Sequence, residues 1–240
     1  MRGPGREFRA IQYLKCNSLL YADMLMNFAR GTGKVVQENE HGVLMKVPGT
    51  LMLGADSQDA AEQLMQSLPE RSEQIEVHGG GCMNAAKKFG MAVFVTCRQA
   101  AWLQTKPLAP IVSPAEIRPM SEVWLPFVMQ HYKTIDDPNY IRQRLQSGDF
   151  FGAFIAGKPA GFIGTHAEGS MGLLEVLPEY RRMKIAAALE TFLANRLFAR
   201  GIVPFAQIVP TNLPSLSLQR KLKLELTEEK IYWMHRKSIQ

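Results

Sequence analysis

Residues 173–189 hold the ingredients of an anion site. An apolar run of strand length, Leu173 to Leu177, stops at Pro178. The turn that follows carries Arg181, Arg182 and Lys184, and a helix rich in small residues, among them Ala186, Ala187 and Ala188, opens at once. The first N–H groups of such a helix have no partner within it, and its dipole favours negative charge at that end. The three cations strengthen the field, and the alanines let a ligand approach the backbone. The pattern predicts a phosphate or pyrophosphate at this turn.

Groups able to move a proton lie just upstream, in Thr165-His166-Ala167-Glu168-Gly169-Ser170. His166 and Glu168 are two residues apart, so on an extended chain they share one face, which Ser170 continues. Glu175 interrupts the apolar strand, where a charge is unusual for a buried position. His78-Gly79-Gly80-Gly81 looks like an esterase oxyanion loop, but no Gly-x-Ser-x-Gly elbow accompanies it, and it reads as a flexible loop. Cys16, Cys82 and Cys97 form neither a CxxC pair nor an even framework, and no zinc spacing occurs; no metal is expected.

These residues need a scaffold, and 240 residues suffice for one large domain or two of ordinary size. With 46% hydrophobic and 21% charged residues the composition is that of a globular protein. A net charge of +6 suits a polyanionic ligand. Without a run of Lys and Arg, no nucleic-acid partner is expected. The start of the chain has no apolar core of signal-peptide type, and no apolar run reaches a membrane span of about 18 residues. With an odd cysteine count, a cytoplasmic protein is expected, with no membrane partner. A homodimer is left open.

Periodicity predicts one or two helices over 8–30, strands within 34–56, a helix capped by Asp56 or Ser57 and running to Leu68, and strands at 75–77 and 91–97. Lys106 to Pro114 holds three prolines in nine residues and reads as a linker. It divides the chain into 1–110 and 111–240. The second part alternates: strand 116–119, helices 121–132 and 138–145, strands 150–155, 160–165 and 171–176, a helix from Arg181 to Arg200, strand 203–209, helix 214–224 and strand 230–235. The fold class is α+β (mixed α/β).

Arg181 to Ala187 resembles motif A of the GNAT acyltransferases, in which Arg or Gln, two residues, Gly, one residue, and Gly or Ala cradle the pyrophosphate of acetyl-CoA. The pattern falls on Arg181, Lys184 and Ala186, with Lys184 in the place of Gly. The element order over 115–235 is also that of the family. Gln207 to Leu224 is similar to the family segment where a strand ends before an Asn that bonds the pantetheine arm, here Asn212. Gln219 stands where many members have a Tyr that protonates the leaving thiolate, and Lys223 where they have Gly. Cys97-Arg98-Gln99-Ala100-Ala101-Trp102 is similar to the FR47-like and glycine-N-acyltransferase-like branch, in which a degenerate copy of the fold precedes the active one.

The resemblance implies a central, mostly antiparallel splayed sheet flanked by helices. A degenerate N-terminal domain, 1–110, would precede the catalytic one, 111–240. It implies acetyl-CoA or a related acyl-CoA as co-substrate. The ligand would be held by Leu174, Val176, Leu177, Arg181, Arg182, Met183, Lys184, Ile185, Ala186, Ala187, Asn212, Ser215 and Ser217. The thioester would lie in a gap between the strands at 173–176 and 203–209, with a backbone N–H near Val176 or Leu177 polarising its carbonyl. Transfer would be direct, to the amine of an amino acid or another small molecule, with Glu168 or His166 taking the proton. The register in which the family places a carboxylate lands on Ser170, two residues from Glu168. The second half is expected to bind the co-substrate by itself. The contrary reading, from Lys184 and Gln219, is a non-catalytic acyl-CoA-binding module.

Overall fold

Short apolar runs broken by His41-Gly42 and Pro48-Gly49 fold as an antiparallel meander: β1 (Lys34–Asn39), β2 (Gly42–Val47) and β3 (Thr50–Ala55). Two helices precede it, α1 (Arg6–Lys15) and α2 (Ala22–Ala29). Ser57 starts α3 (Gln58–Met65) by accepting the Ala60 N–H at 3.2 Å, an N-cap that satisfies one orphan donor. The chain returns as β4 (Gln74–His78), parallel to β3, and continues through α4 (Gly79–Lys88) into β5 (Met91–Ala101). The computed structural model describes residues 5–69 and 72–237; residues 1–4, which belong to the start where no signal-type segment is expected, lie outside them. Residues 79–81 are not a flexible loop but the first turn of α4. A Cβ on Gly81 would stand 3.2 Å from the Gln58 nitrogen, so glycine there lets α4 lie close against α3.

The second half runs β6 (Glu116–Pro119), a 3-10 turn, α5 (Leu125–His131) and α6 (Pro138–Gln146), then β7 (Phe150–Ile155), β8 (Lys158–Thr165) and β9 (Met171–Val176). After these come α7 (Ile185–Phe198), β10 (Phe205–Ile208), α8 (Leu213–Leu222), β11 (Glu225–Leu226) and β12 (Ile231–Arg236). Asp137 caps α6 through the Asn139 and Tyr140 N–H groups, and Pro138 occupies the first turn, where its missing N–H costs nothing.

Among the described residues the strands form two sheets. The smaller has the order β6-β7-β8-β9, antiparallel throughout. The larger has the order β1-β2-β3-β4-β12-β5-β10, with β11 also paired to β5. β12 thus lies between β4 and β5, and β10 pairs with β5, so strands from both halves share one sheet. One core cluster mixes Ala22, Met26, Ala100 and Ala101 with Phe151, Ile163, Leu189 and Phe205. The proline-rich linker is strapped to α7: Leu108 N–H donates to Asn195 Oδ1 at 2.8 Å, and Asn195 Nδ2 donates to the Leu108 carbonyl at 2.9 Å. The second half is thus tied to the first through its strands. Cut at the linker, it would lose β5, the partner of three of its strands.

β9 closes the edge of the small sheet and β10 the edge of the large one; no ladder joins them. This is a mixed α/β arrangement, mostly antiparallel, whose sheets splay apart between β9 and β10 with helices on their faces.

Lys223 ends α8 at φ 62° and ψ 29°, the left-handed region in which a non-glycine residue is strained. Lys223→Gly is expected to stabilise the protein by about 1 kcal/mol, raising the melting temperature by about 2–4 °C in a calorimetric scan.

Candidate functional site

The turn between β9 and α7 is built from left-handed residues. Pro178–Tyr180 forms a short 3-10 turn, after which Arg182 takes φ 68° and Lys184 φ 60°. Two positive-φ residues reverse the chain so tightly that α7 begins at Ile185, not at Arg181. Ala188 N–H is the first to bond back, to Lys184 O at 3.0 Å. The N–H groups of Ile185, Ala186 and Ala187 thus have no intrahelical acceptor and face outward at the helix start. Arg181, Arg182, Met183 and Lys184 are all exposed, and Ala186 and Ala187 half-buried. Arg181 folds back on its own strand, with Nε 3.3 Å from the Val176 carbonyl and Nη2 3.5 Å from Glu175 Oε1. Glu175 is therefore the partner of Arg181, half-buried, and not a free carboxylate.

β9 carries a bulge. Between the pairs Phe162–Glu175 and Gly164–Gly172 it has two residues, Leu173 and Leu174, where β8 has one, Ile163; Leu173 takes φ 49°. A bulged strand bends and leaves one residue out of the ladder. Of the two N–H groups expected to polarise a carbonyl, that of Leu177 is already given to the Ala160 carbonyl at 3.0 Å. Val176 and the bulge at Leu174 keep that role open.

Across the gap, Asn212 caps α8, its Oδ1 accepting the Ser215 N–H at 3.1 Å, which leaves its amide nitrogen for a ligand. Ser215 is half-buried and Ser217 exposed. Large apolar side chains are exposed just after both strands: Met183 after β9, Val209 after β10 and Leu213 at the start of α8. Gln219 is buried and donates to Glu190 of α7, so it does not reach the gap.

His166 and Glu168 do not alternate along a strand. They lie in the turn joining β8 to β9, closed by His166 N–H to the Ser170 carbonyl at 2.9 Å and Gly169 N–H to the His166 carbonyl at 3.0 Å. Gly169 takes φ 104°, and a Cβ there would collide with the Met26 side chain, so α2 packs directly on the turn. Asn27 Nδ2 donates to the Glu168 carbonyl at 3.0 Å. The Glu168 side chain is buried and accepts a short hydrogen bond from the Ser170 hydroxyl. His166 Nδ1 lies 2.8 Å from the Tyr140 hydroxyl, and its ring covers Gly172 of β9, where a Cβ would stand 2.5 Å from Nε2. Burial holds the His166 pKa below its usual value. Both candidate bases thus stand at one end of β9, between the second half and α2.

Sequence reasoning passed over a buried polar network beside this turn. Asp23 of α2, Glu76 and His78 of β4 and Gln99 of β5 are buried, and half-buried Gln207 of β10 joins them. His78 Nε2 is 2.8 Å from Asp23 Oδ2 and 3.9 Å from Glu76 Oε1, while Nδ1 is 3.0 Å from the Leu53 carbonyl. Gln207 Nε2 donates to Glu76 Oε1 and reaches Asp23 Oδ2 at 3.3 Å; its Oε1 accepts the Trp233 indole N–H at 2.7 Å. Burial, then the charges of Asp23 and Glu168, push the Glu76 carboxyl well above the usual range. Burial also pushes Asp23 up, but His78 outweighs it and holds the carboxyl low; the same pair raises His78 against its burial. The signal was Gln74-Ile75-Glu76-Val77-His78, whose alternation reads as a solvated strand face. That face is instead covered by α2 and Gln207.

Cys82 and Cys97 are buried thiols, both pushed up to about 12 by burial, which keeps them protonated and unreactive as nucleophiles. Among the described residues, no helix is long and apolar enough to cross a membrane.

Residues 116–223 match the sequence model of the acetyltransferase (GNAT) family. No curated protein matches the chain in sequence. Solved structures share its fold over nearly their whole length. A Drosophila protein superposes with a TM-score of 0.64 at 14% identity, covering 95% of each chain. A GCN5-related N-acetyltransferase from Kribbella flavida gives 0.58 at 12%, covering 92% of this chain and 96% of that one. A GCN5-related N-acetyltransferase from Sphaerobacter thermophilus gives 0.52 at 13%, covering 100% and 96%. At such identities the likeness is one of fold, and it extends to both halves.

Proposed function

We propose that this protein is an acyl-CoA-dependent N-acyltransferase, because residues 116–223 match the acetyltransferase (GNAT) family model, whose members use acetyl-CoA or another acyl-CoA. It takes the acetyl group of acetyl-CoA to the amine of an amino acid or another small molecule. The observation that carries this reading is the union of an anion turn with a splayed strand edge: free N–H groups at Ile185, Ala186 and Ala187 stand where β9 and β10 part. In this reading the pyrophosphate lies on the α7 N-terminus beside Arg181, Arg182 and Lys184. The pantetheine arm runs into the gap past the Asn212 amide, and Met183, Val209 and Leu213 cover its apolar parts.

The acetyl carbonyl lies at the β9 bulge, where the N–H of Leu174 or Val176 supports the developing oxyanion. The neutral amine attacks the thioester carbon, the C–S bond breaks, and CoA leaves as a thiolate. With Gln219 turned toward Glu190, water supplies the proton to sulfur. Glu168, or His166 as its rival, takes the proton from the amine. The first half contributes α2, which packs on the 166–170 turn and closes the acceptor side, and is assigned no cofactor. Holding both reactants in one cleft supplies much of the rate.

The test is release of CoA thiol from acetyl-CoA by the whole chain against a panel of amines and amino acids. Amine-dependent release supports the reading. Saturable CoA binding without release under any amine favours the binding module suggested by Gln219. Absence of both removes the proposal.

The base is assigned by pH profiles. Glu168→Gln is expected to slow transfer about 10²–10⁴-fold with CoA affinity unchanged. If His166 is the base instead, His166→Ala removes an acidic limb lying below pH 6.5, because burial lowers that group. Full activity in both variants would leave the enzyme without a named base.

A further inference from the structure

We propose that Asp23, Glu76 and His78 form a binding site for one divalent first-row transition ion, held between α2 and β4. Their ligand atoms all lie within 4.8 Å of one another, and all three residues are buried. His78 is posed as a metal ligand: Nδ1 faces the Leu53 carbonyl, a pure acceptor, so Nδ1 carries the hydrogen. Nε2 then points at two carboxylates, Asp23 at 2.8 Å and Glu76 at 3.9 Å. Protons or a metal ion can stand among these groups. A single proton on Nε2 serves Asp23 alone.

Glu76 Oε2, fully buried, has no hydrogen-bond partner. One divalent ion, displacing the protons on Nε2 and on Glu76, would join the imidazole, the aspartate and that free oxygen and balance the charge of both carboxylates. The donor set of one imidazole and two carboxylates suits Zn²⁺, Co²⁺ or Fe²⁺ more than Ca²⁺ or Mg²⁺, which prefer oxygen alone. Outer partners are in place: Met24 N–H donates to Asp23 Oδ1 at 2.7 Å, and Gln207, itself fixed by Trp233, holds both carboxylates.

The experiment refolds the whole chain with Zn²⁺ or after chelation, since a buried site loads as the chain folds. Zinc is then measured after gel filtration, and Co²⁺ is used for spectra. We expect one equivalent of Zn²⁺ and a melting temperature about 5–10 °C higher with saturating metal. Glu76→Gln, which keeps volume and an acceptor for Gln207, should weaken binding about 100-fold. His41→Ala should not, although His41 lies 2.9 Å from Asp56 on the surface. Under a tenth of an equivalent with no thermal shift would show the cation to be a proton and overturn the site. Equal binding in Glu76→Gln, or thiolate absorption in the Co²⁺ protein, would place the ion elsewhere and overturn it as well.

Discussion

Replacing Arg181 and Arg182 with Glu is expected to weaken CoA binding about 100-fold, roughly 3 kcal/mol, measured by calorimetry on the whole chain. Both side chains are exposed on the turn that opens α7. Each arginine–phosphate attraction within a few ångströms is worth about 1 kcal/mol in bulk water and up to about 4 near a protein surface, and reversing the charge costs about twice that. The outcome should depend on salt, because exposed charges are screened over about 8–10 Å at physiological ionic strength. Raising salt should weaken the wild type and leave the double variant nearly unchanged. Arg181→Glu also faces Glu175, its present partner at 3.5 Å, and that repulsion acts on the turn itself. The double Gln variant separates the two effects: about tenfold weaker binding, with an unchanged melting temperature, since an exposed pair contributes little to stability. Unchanged affinity in the Glu variant would remove the pyrophosphate from this turn, and with it the main support for acyl-CoA as substrate.

Strand, arginines and small-residue helix at this turn were legible in the sequence because each rests on local pattern. The start of α7 was not: Arg182 and Lys184 take positive φ, yet neither residue type announces it as glycine would. His166 and Glu168 alternate in sequence as strand residues do, but Gly169 at φ 104° turns the chain between them and β9. That glycine was the available signal, since a Gly between polar residues marks a turn more often than it continues a strand.

Long-range pairing left no local trace. β12 is an apolar run, Ile231 to Met234, that ends in His235 and Arg236, and nothing in it says that it belongs between β4 and β5. The same insertion brings Trp233 to Gln207 and so completes the buried network. Strand existence is written in composition; strand partnership is written in surfaces that meet only after folding.

Glu190→Gln is expected to be more stable than the wild type by about 3 kcal/mol at pH 8 and about equal to it near pH 4. Glu190 lies on α7, buried against α8, and burial pushes its carboxyl to about 7, although the Gln219 amide hydrogen bond opposes that rise. A carboxyl raised in the folded state is bound to its proton there while the unfolded chain, near 4.3, has lost it. Below both values the fold bears no charge penalty. Between about pH 4.5 and 7 the wild type loses stability as pH rises, by about 1.4 kcal/mol for each tenfold fall in proton concentration. Above 7 the loss is complete. The site is also short of donors: Glu190 Oε2 and Gln219 Oε1 both lack partners. The amide of a Gln at 190 brings a donor and cannot ionise. Denaturant unfolding across pH 4–8 should therefore show two curves that coincide in acid and part through neutrality. Because α8 carries Asn212 and α7 the anion turn, the variant should also hold CoA more evenly across that range. Parallel stability curves, separated by a constant at every pH, would mean that Glu190 is not the titrating group at the α7–α8 contact.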